Sequence, residues 1–150
     1  MREKYADVGL YIDNSQSIYA IPCGWDRITQ KTVNTAEIDL LFILQLPYSN
    51  DDIEAFLIDA LKNCYSKERE PGPGALAKHF GVKKWETAVK GMKCISFSWD
   101  ITEGYHFMPH TKKPNHWYEP RMDKCIHLGA NPQKGEIAHA FRNALEESTC

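Results

Sequence analysis

Apolar residues fall along this chain in two rhythms. Val8 to Ile12 and Ile18 to Ile21 are short, β-rich segments around Asp13-Asn14-Ser15-Gln16, a turn composition, and they predict a hairpin ended by Pro22 and Gly24. Trp25 to Ala36 is polar and reads as irregular. Ile38 to Leu46, IDLLFILQL, is almost continuously apolar, which predicts a central strand covered on both faces. The rhythm then changes. Ile53, Phe56, Leu57, Ala60, Leu61 and Cys64 recur at the spacing of one buried helical face. Ser49 or Asn50 can cap this helix, and Asp51, Asp52 and Glu54 sit at its positive end. SKEREPGPG follows and predicts an exposed, mobile loop.

In the second half, Ala75 to His79 predicts one short helix stopped by Gly81. Val82, Trp85, Val89 and Met92 recur at helical spacing, so Lys83 to Lys90 reads as an amphipathic helix. Cys94 to Trp99 alternates, with Ile95, Phe97 and Trp99 on one face, and Tyr105 to Met108 is its antiparallel partner across the turn at Asp100 to Gly104. Pro109 to Pro120 reads as a long loop, Lys124 to Leu128 as a short strand, and Asn131-Pro132 as the start of a last helix buried through Ile137, Ala138, Phe141, Ala144 and Leu145. No linker or repeat interrupts the order. It predicts one α+β domain over residues 1–150, a largely antiparallel sheet packed with three to four helices including a C-terminal one.

Composition narrows this little. The chain has 150 residues, 43% hydrophobic and 25% charged, enough to bury a core without staples. A net charge of −2 gives no electrostatic reason to expect nucleic acid or an anionic membrane. The five cysteines are scattered, with no CxxC pair, and read as reduced thiols. The N-terminus is polar, without the apolar core of a signal peptide, and no apolar run is long enough to span a bilayer, so a cytoplasmic location is expected.

Candidate chemistry is sparse. His106, His110 and His116 lie within eleven residues, but Pro109 is expected to break the strand between the first two, and zinc needs three or four converging ligands. Cys125 and His127 share a strand face, and Cys94 could lie near; these spacings read first as ordinary loop and sheet residues. Cys64 and Cys94 sit on apolar faces, where core thiols are inert. Pro71-Gly-Pro-Gly74 lacks the amide donors of a phosphate cradle. Lys83, Lys84, Lys90 and Lys93, and Lys112-Lys113 before Trp117-Tyr118, would be the basis of a nucleic-acid module. No metal, cofactor or small-molecule ligand is implied. Trp25, Trp117 and Tyr118 are aromatics in polar segments, the kind of residue that anchors a protein interface, with Asp26 and Glu119 beside them.

The run FGVKKWETAVKGMKCISFSW, then FMPH, HWYEP and EIAHAFRNALEESTC, resembles the immunity proteins of bacterial contact-dependent growth inhibition systems, the CdiI type. The resemblance is carried by Lys84, Trp85, Val89, Met92, Pro109, His110, Trp117, Ile137, Ala138, Ala140, Phe141 and Cys150. It implies a cytoplasmic, non-catalytic protein that binds the C-terminal toxin domain of a cognate effector, often a nuclease, and neutralises it by covering its active site. An inhibitor of a basic cleft should offer carboxylates around an apolar anchor. Two regions qualify: the first helix's acidic start with its following loop, at Asp51, Asp52, Glu54, Asp59, Glu68 and Glu70, and the loop His116-Trp117-Tyr118-Glu119, joined by Trp25 and Asp26. The aromatic loop is the favoured anchor. The alternatives are a small metal- or thiol-dependent hydrolase using His106, His110, His116 or a cysteine, and the lysine-based nucleic-acid module.

Overall fold

In a computed structural model, which describes residues 3–26, 34–114 and 117–150, the expected hairpin is the first feature. Strands β1 (Tyr5–Ile12) and β2 (Ile18–Asp26) pair antiparallel, with Leu10 opposite Ala20. The Asp13 carboxylate accepts the N–H groups of Ser15 and Ser17 at 2.9 and 3.0 Å and closes the turn. Strands β3 (Asn34–Glu37) and β4 (Phe42–Leu44) both lie on the outer edge of β2. β5 (Lys93–Asp100) pairs with β1 and with β6 (Gly104–Lys112). β7 (Tyr118–Pro120) and β8 (Ile126–Gly129) each pair with part of β6. The result is an eight-stranded antiparallel sheet with the path β3-β2-β1-β5-β6-β7. Helices α1 (Asn50–Lys62), α2 (Ala75–Phe80), α3 (Trp85–Ala88) and α4 (Glu136–Glu147) complete an α+β domain.

Alternation along β1 gives the sheet two unlike faces. Ala6, Val8, Leu10 and Ile12 join Ile95, Phe97 and Phe107 in a core closed by α1 and α4. Each of its fully buried large side chains contributes about 1.5–3 kcal/mol. On the other face Tyr11, Tyr19, Ile21 and Cys94 pack against Leu76, Val89, Met92 and Tyr118, under α2 and α3. These two helices are six and four residues long and cover only part of that face.

Several expectations are corrected. Ile38 to Leu46 is no central strand: only Phe42–Leu44 is extended, at a sheet edge, with Ile43 exposed. The run is continuously apolar because it serves both faces, Leu41 packing on the second cluster and Phe42 and Leu44 on the first. The helix expected over Lys83 to Lys90 is one turn; Val89 and Met92 are buried as the stripe requires, but Gly91, at φ +77°, turns the chain out of helix. Strand β6 runs through Pro109 to Lys112, and β7 returns on it, where a loop was expected. Pro109 is tolerated because its missing donor faces the gap between β8 and β7; its carbonyl, on that same side, accepts Arg121 N–H at 2.8 Å. Finally, α4 starts at Glu136, not at Asn131-Pro132. Pro22 and Gly24 do not end the hairpin, since β2 runs through both to Asp26, and the Trp25 to Ala36 stretch expected to be irregular contains the end of β2 and most of β3; residues 27–33 lie outside the described residues.

Candidate functional site

The residues singled out in the sequence separate into different surroundings. The acidic helix start is occupied by structural work. Ser49 and Asp52 form a reciprocal capping box at 3.1 and 2.8 Å. Glu54 reaches from α1 to accept the N–H groups of Gly135 and Ala138, both at 3.0 Å, and so caps α4, whose own cap residue is a glycine. Asp51 lies 4.0 Å from Lys134. Trp25 is half-buried against the Tyr65 ring, centroids 4.9 Å apart, and Asp26 is buried beside Arg69 at 3.6 Å. His116 lies outside the described residues.

The aromatic loop divides. Tyr118 is buried, its hydroxyl donating to Met92 O at 2.7 Å and reaching Val89 O at 3.3 Å, its ring against Tyr11, Trp85 and His110. Trp117 keeps 59% of its surface exposed. Glu119 is exposed and pairs with Lys113 at 3.2 Å. Trp117 stands at the mouth of a ≈ 400 Å³ cavity on the half-covered sheet face.

The floor of that cavity was not anticipated. Asp7, Gly9 and Tyr11 of β1 present the same face, Ser96 of β5 and His110 of β6 continue it, and Glu37 reaches in from β3. The Tyr11 hydroxyl donates to Glu37 Oε2 at 2.8 Å. A Cβ on Gly9 would collide with the Glu37 carboxylate, so only glycine there leaves the acid its place. Burial raises the Glu37 pKa to about 7; the Tyr11 hydrogen bond opposes this, and the negative charge of Asp7 adds to it. Burial also raises Asp7, although Ser98 Oγ donates to its carboxylate at 2.6 Å and His106 pulls the other way. The signal was present in YADVGLYI, where Asp, Gly and Tyr alternate with Ala, Val and Leu and mark a face that is not plain core. Glu37 carries no such signal; only tertiary structure folds it over Gly9.

The geometry bears on the other chemistries. His106 and His110 do share a face, contrary to the expected break at Pro109. Among the described residues no group of three histidine, cysteine or acidic side chains is arranged to hold a metal ion. Ser96 Oγ and His110 Nε2 are 3.0 Å apart, but His110 Nδ1 is buried without a partner among the described residues. A histidine base needs an acceptor on that nitrogen to fix its tautomer. Burial also lowers the His110 pKa and raises that of the Cys94 thiol, which leaves both groups neutral. Of the lysines weighed for nucleic acid, Lys93 donates to Leu145 O at 3.0 Å, Lys113 pairs with Glu119, and Lys112 lies 4.1 Å over the Tyr118 ring. Among the described residues no helix is long and apolar enough to cross a membrane.

The same architecture occurs in solved structures over nearly the whole chain. A protein of unknown function from Neisseria meningitidis aligns with a TM-score of 0.71 at 14% identity, covering 99% of this chain and 98% of its own. A chain of a CdiA-CT/CdiI toxin and immunity complex from Yersinia pseudotuberculosis aligns with a TM-score of 0.66 at 12% identity, covering 98% and 99%. This chain shares its fold with a chain of a toxin and immunity complex. No family model matches the sequence, and no curated protein matches it. At these identities the likeness is one of fold.

Proposed function

We propose that this chain is an immunity protein that binds the C-terminal toxin domain of a cognate contact-dependent growth inhibition effector, a nuclease, and neutralises it by covering its active site. The observation that carries the reading is the fold shared end to end with a chain of a toxin and immunity complex. The site supports it. An exposed tryptophan at the edge of an acidic cavity suits a basic protein surface, with the aromatic supplying central burial and the carboxylates steering the encounter. A hydrolase is disfavoured by the unoriented His110 and the neutral Cys94 thiol. In this reading the protein acts in the cytoplasm of the toxin-producing cell and performs no reaction.

The test is co-expression with the last few hundred residues of a large secreted effector encoded beside the gene. Co-purification as a one-to-one complex, with rescue of growth, is expected. Failure of every neighbouring toxin domain to bind, or binding without rescue, contradicts the proposal.

A further inference from the structure

We propose that the cavity on the half-covered sheet face is a receiving site for one basic side chain, an arginine or lysine, carried by the protein partner. This rests on the partner-binding reading for the identity of the partner, but the site is argued from its own geometry.

Three carboxylates line the cavity, those of Asp7, Glu37 and Glu86, and no lysine or arginine does. Of the nearby cations, Lys78 pairs with Asp39 and Arg69 with Asp26, while Lys112 lies over the Tyr118 ring at the cavity's edge, its Nζ buried without a hydrogen-bond partner among the described residues. Among the described residues none forms an ion pair with Asp7 or Glu37. Two mutually repelling, half-buried carboxylates are costly unless something arrives to compensate them. Desolvation and the Asp7 charge both hold Glu37 towards its protonated form, and an incoming cation reverses that bias.

The construction of the cavity points the same way. Glycine at position 9 opens the bed in which the Glu37 carboxylate lies, and Tyr11 fixes one of its oxygens. Ser98 holds Asp7 from the neighbouring strand. Asp7 and Glu37 are therefore placed by strands β1, β3 and β5, and Glu86 by the single turn of α3. Trp85 and Trp117 supply aromatic walls, and Trp117 remains exposed at the entrance. An aromatic wall beside a carboxylate suits a guanidinium, which stacks on one and hydrogen-bonds to the other. A cavity of ≈ 400 Å³ has room for a long side chain but not for a folded segment. The same carboxylates repel phosphate, so nucleic acid is a poor occupant.

The test has two arms. The isotope-labelled full chain is titrated at pH 8 with acetyl-Gly-Arg-Gly-amide, and with the Lys, Leu and Glu analogues. Saturable shifts at the Gly9 and Ser96 amides and the Trp117 indole are expected from the Arg or Lys peptide only. They should weaken about tenfold or more in Glu37→Gln, with Asp7→Asn as the second variant should the first not fold. No shift from either basic peptide, equal shifts from the Leu peptide, or shifts unchanged in both variants would overturn the proposal. In the second arm Glu37→Gln should weaken the toxin complex about tenfold or more. Should the unaltered chain bind no toxin domain, the immunity reading fails, while the peptide titration still decides the pocket.

Discussion

Glu37 shows how one residue can be destabilising for the fold and useful for the surface. Its carboxyl titrates near 4.5 in the unfolded chain and at about 7 in the folded one. Between those values the native state binds more protons, so stability falls as pH rises from about 4.5 to about 7, and the cost is fully present above that. Asp7, Tyr11, Glu86, Cys94 and His110 share its cavity, and none is a cation at pH 8. The cost is on the order of 3 kcal/mol at most. Gln at position 37 keeps an acceptor for Tyr11 and removes the charge. Glu37→Gln should therefore raise the melting temperature by about 5 °C at pH 8 and by almost nothing near pH 4.5. Equal or lower melting at pH 8 would show that the carboxylate is compensated. The two neighbouring aromatics make a paired prediction. Tyr118→Phe removes a hydroxyl that satisfies buried carbonyls and should cost about 1–2 kcal/mol of folding stability in a denaturant titration. Trp117→Ala should leave the melting temperature unchanged and weaken toxin binding by about 2 kcal/mol or more. At this scale the sequence distinguished the loop aromatics as a group but could not separate Trp117 from Tyr118, because the segment read as a loop and only its pairing with β6, which begins at Tyr118, settles which ring is buried.

Helix α4 depends at both ends on residues far from it in sequence. Its first turn is capped by Glu54 of α1, and its last carbonyls are met by Lys93, at Leu145 O, and Arg121, at Glu147 O, each 3.0 Å away. Glu54→Ala should lower stability by about 1–2 kcal/mol in urea, mainly by fraying α4, visible as faster amide exchange at Ile137 and Ala138. Unchanged exchange there would mean the carboxylate is dispensable. The apolar stripe of α4 was legible in the sequence because helical periodicity is local. Its starting point was not, because Asn131-Pro132 has a helix-start composition while the cap that operates comes from another helix. Strand β6 was misjudged at Pro109 for a similar reason: whether a proline breaks a strand depends on which neighbour its nitrogen faces.

For the whole molecule, the informative asymmetry lies between the sheet's two faces. One is sealed by α1 and α4 over phenylalanines and aliphatics, and the sequence announced it through two amphipathic helices and an alternating strand. The other is only partly covered by α2 and α3 and leaves an acidic, aromatic-edged cavity open. That cavity draws residues from β1, β3, β5, β6 and β7, so no local pattern could reveal it. This face is the surface on which the proposed protein-binding role rests. The measurement that tests this most directly is calorimetric titration of the chain with the proposed cognate toxin domain, at moderate salt. The account predicts a one-to-one complex of submicromolar affinity that abolishes the toxin's activity in the same tube. Absence of binding at micromolar concentrations, or a complex in which the toxin stays fully active, would contradict it.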